Sequence, residues 1–344
     1  MATAAAATVA AATVMSRRSH DAIIIGSGVI GCSIATELAR RGHRTLNLEK
    51  LSLAGAGSTS YSSGICRMMY SIPDSVKFAW EGFTYYERWA EHIGAAVPEA
   101  ELAHFRRCGG LVLRSAASET FLRRVMSAHD SVGLPYEEWS TDELSRMGFD
   151  DRSFSPPRRL DDERFGEPGP RLDGGVHFPM CGFVSSPDLA AQNLQRAAEH
   201  TGNAVFRFGA TVSEIVREGG RVAGVRLADG TTVAAPIVVN AAGPHSSHVT
   251  SLAFPDATEN DMTVRTRAMR QEVAYAPSPP TVRWCAGLAS DLIVTDIDSG
   301  TVRSRAPIQQ PPGSARRPHP CDSPPPVPYP EAPSLRQPPA CPLA

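Results

Sequence analysis

The sequence predicts an α/β fold in which a parallel sheet, covered on both faces, is joined to an antiparallel α+β layer. Three observations predict it. A β-branched run, a glycine turn, a helix-period segment and a second apolar run follow one another over residues 20–50. Far along the chain, 236–243 is another apolar run that ends in small residues. Between them lie alternating segments and an Asp229-Gly230 turn, the pattern of antiparallel strands.

In order, residues 1–19 are Ala/Thr-rich and end with Arg17 and Arg18 after the apolar stretch, the reverse of a secretory signal. A disordered leader is expected there, with an organelle transit peptide as the alternative. Ile23 to Ile25 reads as a strand buried on both faces. Gly26-x-Gly28-x-x-Gly31 follows at once. In that order its glycines permit a tight turn, a close approach of phosphate to bare backbone, and close helix–strand packing. Ile30, Ile34, Leu38 and Ala39 recur at helical spacing, and Gly42 suits a left-handed cap. The amides and dipole of that helix start favour an anion. Thr45 to Leu48 is the next strand, and Glu49, 18 residues after Gly31, is placed to accept hydrogen bonds from a ribose diol. Its charge would repel a 2′-phosphate, so the expected ligand is a dinucleotide other than NADPH.

Residues 51–70 are rich in Gly, Ser and Thr and end with one fixed cation, Arg67, which suits a polar ligand. An aromatic helix with a core stripe of Phe78, Trp80, Phe83, Tyr86 and Trp89 is expected next. A strand at 109–113, a helix at 119–133 and a helix opening with an N-cap pattern at Thr141 follow. Residues 150–172 are polar and rich in Pro and Arg, as in a surface loop or disordered insertion. After an extended segment from Gly174, Ser186 is the expected N-cap and Pro187 the first residue of a helix closed by Gly202. Strands are expected at 204–208, 210–217, 221–227 and 231–234, then the buried run at 236–243. From 301 to 344 there are 14 prolines in 44 residues with no hydrophobic period, so an extended, disordered tail is expected.

The 344 residues suffice for two cores, and a net charge of -2 does not suggest a nucleic-acid surface. No apolar run is long enough for a membrane span. Seven scattered cysteines without a C-x-x-C pair suggest neither a metal site nor a disulfide framework; a cytoplasmic location fits, with an organelle matrix as the alternative.

Taken together, the 26–31 fingerprint with Glu49, the Gly57-Ser58-Thr59…Gly64-Ile65-Cys66-Arg67 loop, the Gly174-Gly175…Pro179…Gly182…Pro187 spacing and the Asn240-Ala241-Ala242-Gly243-Pro244 segment resemble the glycine/D-amino-acid oxidase superfamily of flavoproteins, which includes the sarcosine oxidases. The resemblance covers residues 21–298. It implies a Rossmann-type FAD-binding domain with an antiparallel-sheet α+β substrate domain, incomplete at the C-terminus. The FAD-binding domain would comprise 20–75 and 185–250, and the substrate domain 76–184 and 251–300. By the same resemblance Gly26, Gly28, Val29, Ile30 and Gly31 would hold the FAD pyrophosphate, and Glu49 with Lys50 the adenosine ribose. Ser58, Thr59 and Ser62 would line the cofactor, Val212 would meet the adenine side through backbone, and Ala242 and Gly243 would approach from the second strand. Arg67 would face a substrate carboxylate or form a structural salt bridge, and His177 and His245 would be structural. The implied reaction is oxidation of the CH–NH bond of a small amino acid or N-methyl amino acid by hydride transfer to flavin, with the electron acceptor unassigned. The alternatives are an FAD-linked 2-hydroxy-acid dehydrogenase and a truncated, inactive FAD-binding polypeptide. Family members continue where this chain turns proline-rich after Gly300, which suggests a shifted reading frame, unspliced sequence or an alternative end.

Overall fold

A computed structural model of the chain describes residues 20–147, 149, 151–153, 159, 161–256, 264–269, 293–296 and 301–303. All belong to one compact unit, Met1–Pro307. The expected leader and nearly all of the proline-rich tail lie outside the described residues.

The first sheet contains β1 (Ala22–Ile25), β2 (Thr45–Leu48), β9 (Ala204–Arg207) and β13 (Ile237–Asn240), parallel and in the order β13-β1-β2-β9. Alternation along β1 decides what covers each face. Ile24 packs with Ala35 and Ala39 of α1 (Val29–Arg40) and Ala198 of α6 (Pro187–His200). Ile23 and Ile25 face the other way, onto Ile215, Val225 and Leu227. Those residues come from a three-stranded antiparallel sheet of β10 (Val212–Glu218), β11 (Arg221–Leu227) and β12 (Thr232–Ala234), whose apolar cluster also takes in Val249 of α7 (Ser246–Ala253). Ile23 and Ile24 are fully buried, and each such side chain contributes about 1.5–3 kcal/mol. Across the helical layer, Thr36 Oγ1 donates to Leu194 O at 2.9 Å and so ties α1 to α6.

The second large sheet runs β15-β14-β5-β7-β6, from β5 (Gly110–Arg114), β6 (Glu137–Trp139), β7 (Gly174–Phe178), β14 (Ile293–Asp296) and β15 (Thr301–Arg303). One face packs on α4 (Glu119–Val132) through Val112, Val176, Phe178 and Ile293. The other packs on α5 (Thr141–Arg146) through Leu111, Leu113 and Val294. A small sheet, β3 (Ile65–Cys66), β8 (Gly182–Val184) and β4 (Phe105–Arg107), stands beside helices α2 (Pro73–Glu87) and α3 (Trp89–Ile93).

Several expectations are corrected. The aromatic helix starts earlier, with Pro73 in its first turn, and Phe78 is 81% exposed while Phe83 is buried. The core stripe therefore narrows to one side of the helix. Ser140, not Thr141, caps α5, through a capping box with Glu143. Ser186 occupies the N-cap of α6, but its hydroxyl donates to Asp188 instead of accepting a backbone amide. Strand β13 is only half-buried, since it has a neighbour on one side alone among the described residues. Within 150–172, an Arg152–Arg171 bridge and buried Leu172 tie down the base of the insertion; 150, 154–158 and 160 lie outside the described residues. Strand β3 pairs with β8, and α7 crosses residue 250 while packing on the β10–β12 layer.

Candidate functional site

The turn after β1 is built from three glycines with three different constraints. Gly26 has φ 104, and a Cβ there would lie 2.5 Å from Ala241 O, so no side chain fits between β1 and β13. At Gly31 a Cβ would lie 1.9 Å from Gly26 O, which lets α1 start hard against the strand. Gly28 is the N-cap of α1 with an ordinary φ of -69, and it has no side chain to cap the helix. A Cβ there would be 3.1 Å from Thr59 Oγ1. Thr59 is the lid of this turn: its Oγ1 accepts the Val29 amide at 3.1 Å and retains its own proton to donate. The next amides, of Ile30 and Gly31, have no acceptor within the helix.

Glu49 closes the other side. Its Oε2 accepts the Ser27 amide at 2.8 Å and its Oε1 accepts the Leu51 amide at 2.9 Å. This ties the glycine turn to the chain leaving β2. A carboxylate has about four lone-pair sites, so two remain for a diol. The backbone of Glu49 and Leu51 also pairs with the segment after β9, through Ala210 N to Glu49 O and Gly209 N to Leu51 O. Val212 begins β10 two residues further on and is half-buried. Lys50 is exposed, as is Ile30 at 63%.

The rest of the expected set divides in two. Ala241 N donates to Ile25 O, so Ala242 and Gly243 emerge directly beside the glycine turn. Asn240 shapes that exit, with Nδ2 donating to Ser246 O and Oδ1 accepting the Ala242 amide. Ser58 and Ser62 sit on the exposed loop, where Ser62 Oγ accepts the Gly64 amide. Arg67 belongs to a different place, a cavity of about 230 Å³ that it lines with Met69, Val112, Phe121 and Thr295. Among the described residues no carboxylate pairs with Arg67, so the salt-bridge alternative gains nothing. His177 is structural: it stacks on Trp139 with ring centroids 4.7 Å apart and binds Glu137 Oε2 through Nδ1.

The residues around the turn fit a dinucleotide on two observations of their own. The glycine cradle leaves backbone bare where a pyrophosphate would lie, and Ser27 Oγ is a buried hydroxyl of the turn with no partner among the described residues. Thr59 was expected to line the cofactor, but its place over the helix start depends on a contact across the fold that no local pattern marks. Burial pushes the thiols near Arg67 up, Cys66 to about 12 and Cys181 to about 11, so neither is a ready nucleophile. No cluster of metal-binding side chains occurs among the described residues, and none of their helices is long and apolar enough to cross a membrane.

Comparison with known proteins bears on this geometry. A family model described as "DAO: FAD dependent oxidoreductase" matches residues 21–306. The tRNA 5-methylaminomethyl-2-thiouridine biosynthesis bifunctional protein MnmC of Paraburkholderia phytofirmans is 26% identical over 238 residues, 68% of this chain and 32% of its own length. One subunit of the anaerobic glycerol-3-phosphate dehydrogenase of Escherichia coli is 30% identical over 249 residues, 69% of this chain and 40% of its own. Among solved structures, glycine oxidase from Geobacillus kaustophilus superposes with a TM-score of 0.54 at 25% identity, over 68% of this chain and 58% of that one. L-proline dehydrogenase from P. horikoshii shares the fold, with a TM-score of 0.55 at 20% identity over 68% and 55%. The chain thus spans about a third to two fifths of the curated relatives' length.

Proposed function

The chain belongs to the DAO family of FAD-dependent oxidoreductases, and on that premise we propose that it oxidises the CH–NH bond of a small amino acid or N-methyl amino acid. The family's cofactor is FAD, which when bound supplies the two-electron acceptor. The chain's own residues hold and orient. Gly26, Gly28, Val29, Ile30 and Gly31 together cradle the pyrophosphate: Gly28, Ile30 and Gly31 offer it their amides, Gly26, whose amide is held by Leu48 O, keeps the turn clear of side chain, and Thr59, which accepts the Val29 amide, donates its free hydroxyl proton to it. Glu49 accepts from the ribose diol, with Lys50 beside it, and the backbone at Val212 flanks the adenine. Ser58, Ser62, Ala242 and Gly243 border the remaining length of the cofactor. Arg67 takes the substrate carboxylate and so presents the amine-bearing carbon; water hydrolyses the imine product. We assign the parallel sheet with its two covers to the cofactor, and the five-stranded sheet to the substrate. Cys32, Cys66 and Cys181, which form no disulfide among the described residues, support a reducing compartment, cytosol or organelle matrix.

The observation that carries this reading is the pairing of a glycine cradle closed by Glu49 with a cavity that Arg67 enters. Glycine oxidase at 25% identity supports the amine side, as does the methylaminomethyl group in the name of the tRNA-modifying relative. The relative named as a glycerol-3-phosphate dehydrogenase supports a second reading, oxidation of a CH–OH bond as in a 2-hydroxy-acid dehydrogenase. Anaerobic mixing of the purified, FAD-loaded chain with glycine, sarcosine or D-alanine separates them. Bleaching of the visible flavin band by one of these amines is expected. Bleaching by a 2-hydroxy acid or glycerol 3-phosphate alone selects the second reading, and a yellow protein that none of them bleaches refutes both and leaves an FAD-binding polypeptide.

A further inference from the structure

Helix α2 turns a continuous face to solvent. Its buried side chains, Val76 and Phe83, lie on one side, while Asp74, Lys77, Phe78, Glu81, Tyr85 and the C-cap Arg88 are all exposed on the other. Most of these are charged, yet Phe78 stands among them 81% exposed. Gly82 follows one turn later on the same face, at the i+4 position. Glycine is a poor residue for a helix interior, and a Cβ at 82 would meet nothing within 4 Å, so this fold has no steric need of it. A bulky exposed ring and a bare spot one turn away form a knob and a hole that cannot fill each other on one helix. An open hollow bounded by Tyr70, Asp74, Ser75, Phe78 and Ala79 lies towards the start of the helix, and the exposed part of Tyr85 lies towards its end.

We propose that this face of α2 binds the same face of a second copy of the chain, antiparallel, about a two-fold axis near position 80. Phe78 and Gly82 are equidistant from position 80, so each Phe78 meets the partner's Gly82. Ser75 and Tyr85 are equidistant from the same position, so the partner's Tyr85 faces the hollow beside Ser75. The charges follow the same symmetry: Lys77 and Glu81 are centred on position 79, and Asp74 and Arg88 on position 81. In this register Lys77 faces the partner's Glu81 and Asp74 faces the partner's Arg88, and the two-fold makes each pairing twice. A parallel arrangement in register would instead set each charge against its own kind. Within one chain Lys77 pairs with Asp74 and Arg88 with Glu91, but these are exposed pairs within a turn, weak enough to rearrange. At 1.5 Å per residue α2 is only about 22 Å long. The helix pair is therefore a small interface, and a dimer that dissociates in the micromolar range is expected. This interface lies outside the oxidation reading and needs no FAD.

The test is sedimentation velocity of the full chain across the micromolar range, where a reversible monomer–dimer equilibrium is expected. Phe78→Ser and Gly82→Gln should each weaken the dimer tenfold or more, because each removes one half of a contact made twice. Gly82→Gln should also leave the thermal midpoint of the dilute monomer equal or higher, since it puts a better helix former into open space. Loss of the dimer in that variant is then not loss of the fold. Glu81→Lys should weaken the dimer by a similar factor, because it sets lysine against lysine at two places. Adding Lys77→Glu to it exchanges the charges and should restore the affinity to within about threefold. A chain that stays monomeric throughout this range, whatever other protein it binds, would overturn the proposal. So would a dimer that none of these variants weakens, or a charge exchange that restores nothing.

Discussion

A methyl group added at Gly28 and one added at Gly31 would do different damage. At Gly31 it would sit 1.9 Å from the Gly26 carbonyl, so helix and strand must separate. At Gly28 the backbone is unstrained and the nearest atom, Thr59 Oγ1, is 3.1 Å away and can yield. Gly31→Ala is therefore expected to cost about 1–3 kcal/mol of stability or more, together with flavin retention. Gly28→Ala should change stability by less than about 0.5 kcal/mol yet weaken FAD tenfold or more, since its methyl occupies the approach to the amides. Thermal unfolding and FAD titration of both variants check this; equal losses of stability would contradict it. The spacing of glycines and acid was legible at this scale because each position has a steric or charge requirement. The reach of Glu49 to the Ser27 and Leu51 amides was not, because it depends on how the chain leaves β2.

At the scale of elements, two buried side chains join parts that the sequence leaves separate. Asn193 on α6 is fully buried; its Oδ1 accepts from Trp89 Nε1 and the Ala103 amide, and its Nδ2 donates to Glu101 O. Asn193→Leu strands all three groups and should cost about 3 kcal/mol or more, read by chemical denaturation; a loss under about 1 kcal/mol would contradict the assignment. His129 on α4 is the second. Its Nε2 faces Met68 O at 3.0 Å, and since a carbonyl only accepts, that nitrogen carries the proton. The ring packs on Phe178, and Nδ1 is buried with no hydrogen-bond partner among the described residues, so protonation would bury a charge that Asp130 and the Leu134 and Pro135 backbone offset only in part. Burial is the main cause that holds its pKa below 6.5, outweighing the Met68 carbonyl. The unfolded chain then binds a proton that the folded one refuses, so stability falls as pH drops from about 6.5 toward the lowered folded value. His92 and His177 are depressed chiefly by the same cause and add to the slope. His129→Gln should make the decline shallower, as measured by denaturation at several pH values; an unchanged slope would refute this account of His129.

For the molecule as a whole, the sequence was most readable where local chemistry sets the structure. Ile23 to Ile25, the glycine turn and the Ser186-Pro187 helix start each carry their own signal, and β1, α1 and α6 stand where those signals put them. Where neighbours decide, the reading was poorer. Phe78 was placed in a core because aromatic spacing cannot tell which side of α2 is covered. The two-residue strand β3 exists only because β8 lies beside it. The order β13-β1-β2-β9 likewise brings Ala241 against Gly26 from more than two hundred residues away in the chain. The proposed site thus combines a glycine turn that was legible locally with a cavity at Arg67 that was not.

The central claim is that the cradle and Glu49 hold the adenosine-diphosphate part of FAD. Equilibrium titration of the purified full chain with FAD, in competition with ADP or riboflavin, tests it most directly. FAD is expected to bind and to be displaced by ADP, while riboflavin at the same concentration leaves it in place. A chain that does not bind FAD, or that loses it to riboflavin but not to ADP, would contradict the account.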